Sequence, residues 1–195
     1  MGTDNLFEVR NQENESYFLA LGIDVTYREL LSEIYKEKFF KLLHSIKDGY
    51  KTKIKYCKDH NGKIMKEFYA PKIVLFLNAN DVKKIVDMIK NIKDPVYMEN
   101  FKNDPMKISI MNQMLIQCKM LADFAEKNKV NIFRKYSEII LTIKELAFSE
   151  PEIKKILDHQ KLLKDQNQED PVTKHMKYLI EEFEEREKQN RNFDK

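Results

Sequence analysis

The fold turns on the stretch Pro71-Lys72-Ile73-Val74-Leu75-Phe76-Leu77-Asn78-Ala79-Asn80. Ile73 to Leu77 are apolar without alternation, the pattern of a strand covered on both faces. Pro71 has no N–H to give to a ladder, so it marks where that strand begins. Asn80 offers a capping oxygen to a helix carrying Val82, Ile85, Val86, Ile89 and Ile92 at helical spacing. Asp94-Pro95 stops that helix, because a residue before proline is driven out of the helical region.

Working back from this strand, Tyr50-Lys51-Thr52-Lys53-Ile54-Lys55-Tyr56-Cys57 alternates with period two and leads into Asn61-Gly62, a strong hairpin signal. With Asn61 and Gly62 as the two central turn residues, Lys55 falls opposite Phe68 and Lys53 opposite Ala70. One face of the ribbon then carries Lys51, Lys53, Lys55, Lys66 and Lys72, and the other Tyr50, Ile54, Tyr56 and Tyr69. Further back, Tyr17 to Val25 reads as a strand, and Thr26-x-x-Glu29 as a capping box. The helix it predicts places Tyr27, Leu31, Ile34, Tyr35, Phe39, Leu42 and Ile46 near one face and ends at Gly49.

Downstream of Asp104 the pattern is helical throughout. Asp104-Pro105 caps and opens a helix with Ile108, Met111, Leu115, Cys118, Leu121 and Phe124 on its stripe. Its methionines, Met106, Met111, Met114 and Met120, suit irregular cores and adaptable interfaces. A helix from about Asn131 to Phe148 follows, then one opened by Ser149-x-x-Glu152. After the polar linker Asp165–Glu169, Asp170-Pro171 opens a last helix. The fold class is therefore α+β: a small antiparallel sheet with two helices, in the order β-α-β-β-β-α, followed by an all-helical half of about four helices. The segments are a loose polar stretch 1–16, an α+β region 17–95, a helical region 104–186 able to pack on the first as one body, and a frayed polar tail 187–195.

The net charge is +3, but it is unevenly spread. Lys36 to Lys72 holds eleven lysines against four acids, a net +7, so the rest of the chain sums to −4. Much of that acid lies in Glu181, Glu182, Glu184, Glu185 and Glu187, which are able to attract the basic region or to serve another partner. A lysine- and asparagine-rich composition also follows from an AT-rich genome.

Cys57 and Cys118 match neither a disulfide framework nor a metal-ligand spacing, and free thiols fit a reducing compartment. No secretory signal or membrane-length apolar run is present. Met1-Gly2 opens like a myristoylation signal, but Leu6 stands where Ser or Thr is wanted. Met-Gly also fits an added leader scar. A cytoplasmic location is expected, provided no leader has been removed, with no membrane partner.

Catalytic patterns each lack a member. Four glycines stand against roughly fourteen expected at the ~7% average, and no phosphate-loop pattern appears. His44, His60, His159 and His175 have no metal-binding spacing, Cys57 with His60 lacks an orienting group, and Glu152-Ile153-Lys154 lies on a helix. No cofactor, metal or catalytic residue is expected.

Two binding surfaces are expected instead. The lysine ribbon is a candidate nucleic-acid surface: Lys51, Lys53, Lys55, Lys66 and Lys72 for phosphates, Phe68 for base stacking, and Lys83 and Lys84 at the start of the following helix. The order helix, three strands, helix from Thr26 to Lys93 is similar to that of double-stranded-RNA-binding domains, without their Gly-Pro-x-His turn or Lys-Lys-x-Ala-Lys helix start. Val172, Met176, Leu179 and Phe183 form a narrow stripe suited to a partner groove or a second copy. The leading expectation is a non-catalytic regulatory or adaptor protein acting through protein–protein contacts. The alternative is a nucleic-acid-binding protein, DNA or RNA, and an enzyme of unrecognised type comes third.

Overall fold

The structure is a computed structural model that describes residues 5–10, 18–27, 32–50, 54–58, 64–68, 71–101, 104–142, 144, 150–166 and 168–193. Among these residues the elements follow in the order β1 (Asn5–Arg10), β2 (Phe18–Tyr27), α1 (Glu33–Lys47), β3 (Ile54–Lys58), β4 (Ile64–Phe68), β5 (Lys72–Leu77), α2 (Ala79–Lys90), α3 (Pro95–Phe101), α4 (Pro105–Lys127), α5 (Ile132–Thr142), α6 (Glu150–Asp165) and α7 (Pro171–Phe193). The class is α+β, with helices predominating.

The sheet departs from the expected antiparallel one. Its strand order is β1-β2-β5, with β1 antiparallel to β2 and β2 parallel to β5, in register Ile23 to Ile73 and Val25 to Leu75. The strands β3 and β4 form a separate two-stranded ribbon. A doubly buried run such as Ile73 to Leu77 suits a parallel partner reached through a helical crossover. Here α1 is part of that crossover. The likeness to double-stranded-RNA-binding domains therefore stops at element order, since β5 does not pair with β4.

Several boundaries move for local reasons. Val25 to Tyr27 are committed to the ladder with β5, so the helix starts later, and Ser32 rather than Thr26 caps it by accepting from Tyr35 N–H at 3.3 Å. Asn78 and Asp81, rather than Asn80, form the capping box of α2. Asp94 caps the short helix α3, accepting from Val96 N–H. A strand occupies Asn5–Arg10, within the stretch expected to be loose. Helix α7 runs on to Phe193, where fraying after Arg186 is expected. The capping residue Ser149 and the hairpin turn at Asn61-Gly62 lie outside the described residues. Gly49, at φ +80°, ends α1 as expected, and Tyr50 follows it into the left-handed region at φ +56°. That conformation is costly for a tyrosine, and burial of its ring at 4% exposure holds it there.

One hydrophobic core joins the two halves. It takes Tyr35, Phe39 and Leu43 from α1, Ile73 and Val74 from β5, Cys118 and Leu121 from α4, Tyr136 and Ile139 from α5, Ile156 from α6, and Met176, Leu179 and Phe183 from α7. The seam between the halves is polar at its centre. In β5 every second residue faces away from β2, and there no strand among the described residues follows. Tyr136 accepts from Lys72 N–H at 3.1 Å and donates to Lys72 O at 2.6 Å. Gln117 accepts from Val74 N–H at 3.0 Å and donates to Val74 O at 2.8 Å. Gln113 makes the same pair of bonds with Phe76, both at 3.4 Å. Three side chains thus stand in for a fourth strand and satisfy a buried sheet edge.

Candidate partner-binding groove

The residues expected to bind a partner are dispersed. Met176, Leu179 and Phe183 are buried at 0%, 1% and 2% exposure, and half-buried Val172 packs against the same core. The stripe on α7 packs on its own bundle. Phe183 seats in an aromatic cluster, with ring centroids 5.5 Å from Phe40 and 6.0 Å from Phe124. The acids around it answer lysines of the basic region: Glu182 meets Lys36 at 2.6 Å and Glu187 meets Lys47 at 2.5 Å. The charge asymmetry of the sequence is thus partly satisfied within the chain.

The lysine surface is divided. In the ribbon Lys55 is the partner of Glu67 and Tyr56 that of Lys66, with five residues between the strands. This is one residue out of the expected register, and a one-residue slip puts Lys55 and Lys66 at positions of opposite faces. Lys72 lies in the other sheet and is buried at 5% exposure, because β5 is covered on both sides. Lys84 is held by Asp104 at 2.9 Å, whereas Lys83 is exposed. Lys51 and Lys53 lie outside the described residues, as do the side chains of Lys55, Lys66 and Phe68.

A different site emerges among the helices of the second half. A groove of about 760 Å³ runs between α4 and α7 and is closed in part by α6 and the end of α5. Its floor is apolar, built from Leu115, Ile116, Met120 and Phe124 of α4, Ile156 and Leu163 of α6, and Ile180 of α7. Helix α4 is apolar over most of its circumference. One side packs on β5 and α5, and the remainder is left to line the groove. Helix α6 covers the groove lightly: Ile156 enters the core, Leu157 and Leu162 stay about half exposed, and Gln160 donates to Asn112 at 3.0 Å. Asn112 in turn donates to Asp170 at 3.1 Å.

The rim is charged. Lys127 pairs with Glu184 at 2.6 Å, and Lys177 pairs with Glu169. Asp170 accepts from Val172 N–H at 2.8 Å and so is occupied in capping α7. Lys119, Lys144 and Lys164 also line the groove, together with the acid Asp123. Among the described residues the lining holds no serine, cysteine or histidine, and no group of three His, Cys, Asp or Glu side chains is placed to hold a metal ion.

The groups with displaced proton affinities lie elsewhere. Burial raises Tyr35, Tyr50 and Tyr136 and pushes the Cys118 thiol up to about 12. Burial also acts to raise Asp104, but hydrogen bonds from Lys84 and Met106 N–H hold it below the usual carboxylate range. The Lys36 hydrogen bond lowers Glu182 against the effect of burial, with Arg186 assisting. These are core groups and ion pairs of the framework.

A second apolar surface lies on α2, the turn after it and the start of α3, where Val86, Ile89, Ile92 and Val96 are 43–70% exposed. No helix among the described residues is long and apolar enough to cross a membrane. No protein family, curated protein or solved structure matches this chain.

Sequence reading missed Gln113, Gln117 and the groove. A signal for the first two was present: amides four residues apart on an apolar helix share a face and need a buried polar partner. The groove had a weaker signal in Leu115, Ile116 and Met120, apolar residues that together are too broad for one stripe.

Proposed function

We propose that this chain is a non-catalytic adaptor acting through protein–protein contacts, and that it seats an amphipathic helical segment of a partner in the groove between α4 and α7. The observation that carries this reading is the open apolar floor of that groove. The α4 wall from Leu115 to Lys127 rises about 18 Å. Anchors at positions i, i+4, i+7 and i+11 of a docked helix span about 16 Å, which matches the wall. Met120 supplies a deformable side chain at the floor, able to adjust to anchors of different shape.

The test uses the full chain and a fluorescein-labelled helical peptide of about sixteen residues, with leucines at those four anchor positions and glutamine elsewhere. The reading predicts saturable binding that changes little with salt and weakens at least tenfold in Met120→Glu. An absence of saturable binding, or binding that Met120→Glu leaves unchanged, would overturn it.

A further inference from the structure

We propose that the groove selects its partner by charge as well as shape: the helix it takes is acidic along its flanks, and Lys119, Lys144 and Lys164 read those acids. This rests on the groove reading above and adds the chemistry of the partner.

The inference follows from pairing off the charges around the groove. Glu184 is engaged by Lys127, Glu169 by Lys177, and Asp170 by the first N–H groups of α7 and by Asn112. Three lysines and Asp123 remain, and with Asp170 keeping its own charge the described lining carries five lysines against four acids, a net positive charge of one. The three lysines come from separate parts of the chain, α4, position 144 beyond α5, and α6, so an occupant meets them from more than one direction. Lys119 and Lys164 are exposed and Lys144 is half-buried. Long solvated ammonium groups around an apolar floor lie along the edges of a seated helix, where its flanking residues stand. Acidic flanks would be attracted, whereas basic flanks would meet like charge. A nucleic acid would use the lysines but leave the apolar floor unfilled, so a protein segment is the better match.

Three labelled peptides sharing the leucine pattern test this, with flanks of glutamate, glutamine or lysine, titrated against the full chain at low and physiological salt. The glutamate peptide is expected to bind at least tenfold more tightly than the glutamine peptide at low salt, and the lysine peptide more weakly than either. The triple variant Lys119→Glu, Lys144→Glu, Lys164→Glu is expected to reverse that order with an unchanged melting midpoint. If it does not fold, the double variant Lys119→Gln, Lys164→Gln is expected to remove most of the preference.

Equal affinity for the glutamate and glutamine peptides would overturn the charge reading and leave the groove reading standing. Failure of the glutamine peptide to bind would overturn the groove reading, and this inference with it. A glutamate preference unmoved by the lysine variants would place the charge recognition elsewhere and overturn the inference. A single-stranded DNA of similar length that displaces the glutamate peptide, and loses binding in the same variants, would also overturn it in favour of a polyanion site.

Discussion

Gln117 and Val74 exchange two hydrogen bonds across the seam between α4 and β5: Val74 N–H donates to Gln117 Oε1 at 3.0 Å, and Gln117 Nε2 donates to Val74 O at 2.8 Å. Gln117 is fully buried, so neither bond has water as a substitute. The pair locks the helical half onto the outer edge of the sheet and thereby fixes the back of α4. The flank of α4 beside it, with Leu115, Met120 and Phe124, lines the groove, which ties the packing of the sheet to the proposed binding site.

Gln117→Ala leaves both backbone groups of Val74 without partners in a dry environment. The expected cost is about 2–4 kcal/mol, with faster amide exchange at Val74. Gln113→Ala is expected to cost less, because its two bonds to Phe76 are longer and that site is partly exposed. Denaturant unfolding of the two variants checks the order, and equal losses would contradict it.

Tyr136→Phe removes the hydroxyl that serves Lys72 N–H and Lys72 O. A loss of about 1–3 kcal/mol is expected. Because burial raises Tyr136 above the ordinary tyrosine value, its neutral form is the one the fold holds. The linked stability is fully present below about pH 10, the unfolded value, and is lost as pH rises beyond it. Unfolding measured between neutral and strongly alkaline pH is expected to show a shallower alkaline decline in the phenylalanine variant.

Glu182 gives the opposite pH sign. Its carboxyl is held below the ordinary range by Lys36, so the stability it contributes is present above about pH 4.3 and lost as pH falls through the folded value. Glu182→Gln is expected to cost about 0.5–1.5 kcal/mol near neutrality and to flatten the acid limb of the stability profile. An unchanged acid limb would show that the Lys36 pair at 2.6 Å has no thermodynamic weight.

Cys118 is fully buried and its thiol is pushed up to about 12, so little thiolate is available at neutral pH. In a Cys57→Ser background, alkylation of the folded chain is expected to be slow and to accelerate with denaturant in step with unfolding. Rapid alkylation without denaturant would contradict the packing of α4 against α5.

Much of the fold was legible where one local rule decided the outcome. Asp104-Pro105, Asp170-Pro171 and Gly49 each occupy a helix end, as capping chemistry requires. The unbroken run Ile73 to Leu77 announced a covered strand. The run favours a parallel partner, but which strand supplies it is set by the path of the chain through α1, which no single segment states. Thr26 shows the limit of a cap motif: its side of the chain was taken by the ladder to β5, and Ser32 took the cap. The stripe Met176, Leu179, Phe183 could be read as apolar and helical, but whether it faced its own bundle or another protein depended on α1 and α4. The groove was hidden for the same reason, since a cleft belongs to the spacing of four helices and to no single segment.

The most direct measurement is methionine-methyl NMR of the full chain during titration with the leucine-patterned glutamine peptide. Met120 lines the groove, whereas Met88 and Met98 belong to α2 and α3 near the other exposed apolar face. The account predicts a saturable shift of the Met120 methyl, with Met88 and Met98 unmoved. Shifts centred on Met88 and Met98, or none at all, would contradict the groove between α4 and α7 as the binding site.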